Sequence, residues 1–121
     1  MKNIIFHVSD INKEKQIIAL CKSINLSYKT ISVKDINATV GNLAELYTVT
    51  SNKPKTVGVP FGYMLPDVLI FSGLNDKKLD EFLDKYKALG IIPIHLKAIV
   101  TPYNINWSLQ ELISQLIKER A

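Results

Sequence analysis

Three apolar runs in this chain are followed at once by short polar side chains, and that pattern is where chemistry could sit. Ile4-Ile5-Phe6 leads to Ser9 and Asp10, Val68-Leu69-Ile70-Phe71 leads to Ser72, Gly73 and Asn75, and Leu96 to Val100 leads to Thr101-Pro102-Tyr103-Asn104-Ile105-Asn106-Trp107. If the runs are strands of an open parallel sheet, these groups fall outside its carboxyl ends, where helix N-termini also point their amides. The candidate ligand-binding set is therefore Asp10, Ser72, Asn75, Thr101, Asn104, Asn106 and Trp107. Its hydrogen-bonding groups suit a small polar or anionic molecule, with Asp10 as the one acid or base.

Each of these residues also has an ordinary explanation. Ser, Asp and Asn gather after strands because they cap helices and close turns. Ser108 and Glu111 have the spacing of a capping box, and Trp107 and Leu112 that of a hydrophobic staple. Ser72 lacks the glycine two positions earlier that a nucleophile elbow requires, since that position is Ile70. His7 and His95 fall within expected strands, Asp10 has no neighbouring carboxylates for magnesium, and Cys21 sits on the apolar face of the first helix with no second cysteine. No metal-ligating set is expected and no cofactor is indicated, so the sequence leaves open whether the protein is an enzyme.

The elements that must position these groups follow from periodicity. Asn3 to Val8 reads as a strand, and Ile11, Ile17, Ile18, Cys21 and Ile24 as the apolar stripe of a helix capped by Ser9 or Asp10 and ended by Asn25. Leu26 to Val33 suits a second strand and Thr39 to Tyr47 a shorter helix. Val68 to Phe71 is a strand covered on both faces. A helix capped by Asn75 or Asp76 and ended by Gly90 carries Leu79, Phe82, Leu83, Tyr86 and Leu89, a strand carries Ile94, Leu96, Ala98 and Val100, and the last helix carries Leu109, Leu112, Ile113, Leu116 and Ile117. The expected fold is one small α/β domain over residues 1–121, with four alternating strand-helix units on a mainly parallel sheet. A thioredoxin-like mixed sheet without the redox cysteines is the second choice. Residues 48–66, rich in Pro and Gly, read as an irregular loop or lid, whose Gly58-to-Gly62 run lacks the spacing of a phosphate loop. No internal repeat is expected.

A formal charge of +4 raises the question of a nucleic-acid partner. Residues 1–66 hold eight lysines against four acids, whereas residues 67–121 balance seven cations against seven acids. The excess lysines are scattered, with no stacking aromatics or helix-turn-helix pattern, so a nucleic-acid partner is not expected. No run is long enough to span a membrane, and a single cysteine suits a reducing cytoplasm.

The second half carries a more specific pattern: Val68-Leu69-Ile70-Phe71-Ser72-Gly73-Leu74-Asn75-Asp76, then Pro93-Ile94-His95-Leu96-Lys97-Ala98, then Thr101-Pro102-Tyr103-Asn104-Ile105-Asn106-Trp107. Over residues 67–119 it resembles the small bacterial family called domain of unknown function 3783. The resemblance implies an architecture and a bacterial setting, and no mechanism. With few catalytic groups available, the reading that demands least is a noncatalytic binding or protein-interaction module, with a homodimer or a protein partner as the expected assembly. The alternative is a small enzyme acting on a polar or anionic molecule at the rim.

Overall fold

In this computed structural model, residues 1–46 and 64–120 are described. Tyr47 and nearly all of the segment expected as a loop or lid lie outside them. Among the described residues, the chain runs β1 (Ile4–His7), α1 (Ile11–Ser23), β2 (Tyr28–Thr30), a 3-10 turn (Val33–Asp35), α2 (Val40–Leu43), β3 (Val68–Phe71), α3 (Asp76–Ala88), β4 (Leu96–Ile99) and α4 (Leu109–Arg120). The strands form one four-stranded mixed sheet in the order β2-β1-β3-β4. The alternation of strands and helices is the one that periodicity predicts, and two of the three strand pairings are parallel.

Strand alternation divides the core. Ile4 and Phe6 of β1 and Leu69 and Phe71 of β3 face α1 and α3, packing with Ile17, Leu20, Cys21, Phe82 and Tyr86. Ile5, Val68 and Ile70 face the other way, against Val40 and Leu43 of α2 and Leu109, Leu112 and Ile113 of α4. Both central strands are thus buried on two faces, which is why Val68 to Phe71 has no polar alternation. The predicted fourth strand is shortened at its start: Ile94 packs into the first core cluster, while Leu96, Ala98 and Val100 pack against the second, so the face changes between them.

The central pair corrects the picture of one shared rim. β1 and β3 are antiparallel, with Ile4 opposite Phe71, Ile5 opposite Ile70 and Phe6 opposite Leu69. The carboxyl end of β1 therefore lies at the opposite end of the sheet from those of β3 and β4. The α2 that precedes β3 has only four residues, and its Val40 and Leu43 pack with Leu109, Leu112 and Ile113 of α4. Its start is tied there by the antiparallel bridge between Thr39 and Ser108.

A second correction concerns repetition, because the described chain consists of two copies of one β-α-β-turn-α unit. Phe6 and Phe71, the helix caps Asp10 and Asn75, and the left-handed helix-ending residues Asn25 and Gly90 are each 65 positions apart. Beyond β2 and β4 the spacing is 69, because Ile91-Ile92-Pro93-Ile94 lengthens the second copy: Ser32 matches Thr101, Asp35 matches Asn104, Ile36-Asn37 matches Ile105-Asn106, and Thr39 matches Ser108. The hydrogen bonds repeat in step. Ile31 N–H donates to the Phe6 carbonyl and Val100 N–H to that of Phe71. The two copies also meet symmetrically: Val40 N–H donates to the Trp107 carbonyl and Leu109 N–H to that of Ala38. A pseudo-two-fold axis thus passes through the Ile5–Ile70 pair and the Thr39–Ser108 bridge.

Candidate functional site

The seven predicted residues divide between two ends of the sheet and are mostly occupied in local structure. Asp10 stands apart at the far end as the cap of α1, its carboxylate accepting from the amides of Asn12 at 2.8 Å and Lys13 at 3.4 Å. Sequence reasoning missed what surrounds it. Lys13 is buried, and its Nζ is 3.1 Å from Asp67 Oδ2, while Asp67 Oδ1 accepts from Ser9 N–H at 3.0 Å. His7 Nδ1 lies 3.3 Å from the Pro66 carbonyl oxygen nearby. The spacing of Lys13 from Ile17, Leu20 and Ile24, on the inner face of α1, was the available signal.

At the other end, Ser72 is buried; its N–H donates to the Asn3 carbonyl and its own carbonyl accepts from Asn3 Nδ2 at 3.0 Å. Gly73 follows with φ of 68°, a left-handed conformation that favours glycine at this turn. Asn75 caps α3, accepting from Lys78 N–H at 2.8 Å. Thr101 and Asn104 close a turn on each other. Asn104 Oδ1 accepts from Thr101 N–H at 2.9 Å, Thr101 Oγ1 accepts from the amides of Tyr103 and Asn104, and Asn104 Nδ2 donates to the Ile99 carbonyl at 3.0 Å. This is the counterpart of the Ser32–Asp35 capping box in the first copy. Asn106 is exposed, and Trp107 is half-buried against the second core cluster.

Thr101, Asn104 and Trp107 nonetheless share one feature, a groove of about 540 Å³ that runs along the outer edge of β4. Its walls are mainly apolar: Leu79 and Leu83 of α3 on one face of the sheet, Leu112 and Leu116 of α4 on the other, with Ile99 exposed between them; Lys97, Gln115 and Glu119 also line it. Because Val100 N–H bonds inward to Phe71, strand alternation turns the backbone of Lys97 and Ile99 outward. Asn104 holds the Ile99 carbonyl at the end of this edge. Ser72, Asn75, Asn106 and Asp10 do not line it.

The titratable groups fit structural roles. Burial pushes the Cys21 thiol up to about 12, which leaves it protonated and unreactive at neutral pH. Burial, and then the charge of Asp67, raise the Tyr86 phenol to about 12, and its hydroxyl donates to the Ile92 carbonyl at 2.6 Å. Among the described residues, no group of His, Cys, Asp and Glu could hold a metal ion, and no helix is long and apolar enough to cross a membrane.

The fold and this edge together define, among the described residues, a two-copy α/β protein whose second copy ends the sheet on a strand flanked by mainly apolar walls. Residues 67–121, which are that second copy from β3 to α4, match the family described as Domain of unknown function (DUF3783). No curated protein and no solved structure matches the chain.

Proposed function

We propose that the protein is a noncatalytic interaction module that docks its partner along the β4 edge. The observation that carries this reading is the contrast between the predicted polar rim and the groove. Thr101, Asn104, Asn75 and Asp10 direct their side-chain oxygens to backbone amides, whereas the surface beside β4 is an apolar cleft flanking outward-facing strand backbone. Such an edge takes up an added strand through main-chain hydrogen bonds, with apolar side chains entering the cleft. An enzyme at the rim would need Asp10 facing Ser72 or Thr101, and the antiparallel β1–β3 pair separates them. The lone, buried Cys21 suits a reducing cytoplasm.

Hydrogen exchange on the full chain tests the reading. The amides of Lys97 and Ile99 should exchange quickly at high dilution and become protected when the protein is concentrated or mixed with cell extract. A thermal-shift screen against nucleotides, sugar phosphates, amino acids and metal ions should give no stabilisation that depends on Thr101 or Asn104. A shift abolished by Thr101→Val and Asn104→Ala, with the edge amides unprotected throughout, would replace the docking edge by a small-molecule site.

A further inference from the structure

Resting on that reading of the β4 edge, we propose that the partner is a second copy of this chain, paired antiparallel through β4 about a two-fold axis. The internal duplication first shows which edge of the sheet is built for docking. The β2 edge is the counterpart of β4, with Thr30 at the position of Ile99 and, on α1, Glu14 at the position of Leu79. The groove belongs to the β4 side, where the same scaffold carries Ile99, Leu79 and Leu83. The two edges differ at these two positions, Ile99 against Thr30 and Leu79 against Glu14, whereas Leu83 and Leu112 have the apolar counterparts Ile18 and Leu43.

The charges beside the groove fit the edge to itself. On α3, helical spacing places Asp76, Asp80 and Lys87 beside Leu79 and Leu83, with both acids near the N-terminal end and the lysine near the C-terminal end. An antiparallel β4 pair extends the sheet and keeps each face on its own side, so α3 runs antiparallel to α3 of the second copy. Lys87 then meets Asp76 and Asp80 of the second copy, twice by symmetry. On α4 the charged side chain lining the groove is Glu119, whereas Glu111 and Lys118 lie on the neighbouring surface and take no part in the pairing. With the axis at Ala98, Lys97 pairs with Ile99 of the second copy, which keeps the two Lys97 charges apart and covers both isoleucines.

Sedimentation equilibrium of the full chain across the micromolar range is the test, with melting temperature as the check on folding. The wild type should be dimeric, and Ile99→Glu should weaken association about tenfold or more by placing a carboxylate in the apolar seam. Thr30→Glu, at the matching place on the β2 edge, should leave association unchanged. Lys87→Glu and Asp80→Lys, both on the exposed surface of α3, should each weaken self-association, and mixing the two variants should restore a one-to-one dimer. That rescue does not depend on the Ile99 variant folding. A wild-type monomer at every concentration would overturn the second copy as partner, as would an equal loss from Thr30→Glu or a failure of the mixed variants to associate. Protection of the Lys97 and Ile99 amides by cell extract alone would overturn the second copy while upholding docking at this edge; no protection of these two amides under any condition would overturn both.

Discussion

Lys13 shows how much a single charged side chain on an inner helix face depends on its partner. Its side chain is 7% exposed and that of Asp67 is 31% exposed, so the pair ties α1 to the start of β3 at the boundary between core and solvent. Asp67→Asn keeps an acceptor for the Ser9 amide but leaves the Lys13 ammonium buried without its counter-charge. The expected loss is about 1–3 kcal/mol of unfolding free energy, measured by urea denaturation. Lys13→Met in the Asp67→Asn background removes that stranded charge and should recover at least half of the loss. A single variant as stable as the wild type would mean that the ammonium reaches water without Asp67.

At the scale of elements, the two faces of the sheet meet the pseudo-two-fold axis at Ile5 and Ile70, which pair with each other and are both fully enclosed. Equivalent places in two copies should carry equivalent energies, so Ile5→Ala and Ile70→Ala should each cost about 2–5 kcal/mol and differ little from one another. A difference as large as the costs themselves would show that the copies have diverged in packing as well as in sequence. Legibility divides along the same line. Helix stripes, the caps Asp10 and Asn75 and the stops Asn25 and Gly90 were readable because they are set by neighbours a few residues away. The direction of β3 was not, since nothing local in Val68 to Phe71 distinguishes parallel from antiparallel pairing, and the rim that brought Asp10 toward Thr101 failed with it. The duplication was present in the letters. It was hidden by conservative exchanges such as Asp35 for Asn104 and Thr39 for Ser108, and by the four-residue lengthening that shifts the spacing from 65 to 69. Of the candidate site, Thr101, Asn104 and Trp107 line the groove, whereas its apolar walls come from α3 and α4 and become a groove only once both helices are placed about β4.

For the whole molecule, one sheet joins both copies, and the first core cluster holds side chains from each, including Cys21 of one and Tyr86 of the other. Titrating either group therefore acts on the common fold. Both have folded-state values raised to about 12, from 9.0 for the thiol and 10.0 for the phenol. A raised value means that the folded protein holds the proton more tightly than the unfolded chain does. The stabilising contribution is accordingly complete below pH 9, and it drains away as the pH rises toward 12 because the unfolded chain gives up these protons first. The midpoint of urea denaturation should stay level from pH 7 to 9 with respect to these two groups and then fall. Tyr86→Phe should flatten the part of the fall above pH 10, at the cost at neutral pH of the hydrogen bond to Ile92. Cys21→Ala should remove the part that begins near pH 9. Both variants are needed, because an alkaline fall that survives both would locate its origin outside these two groups.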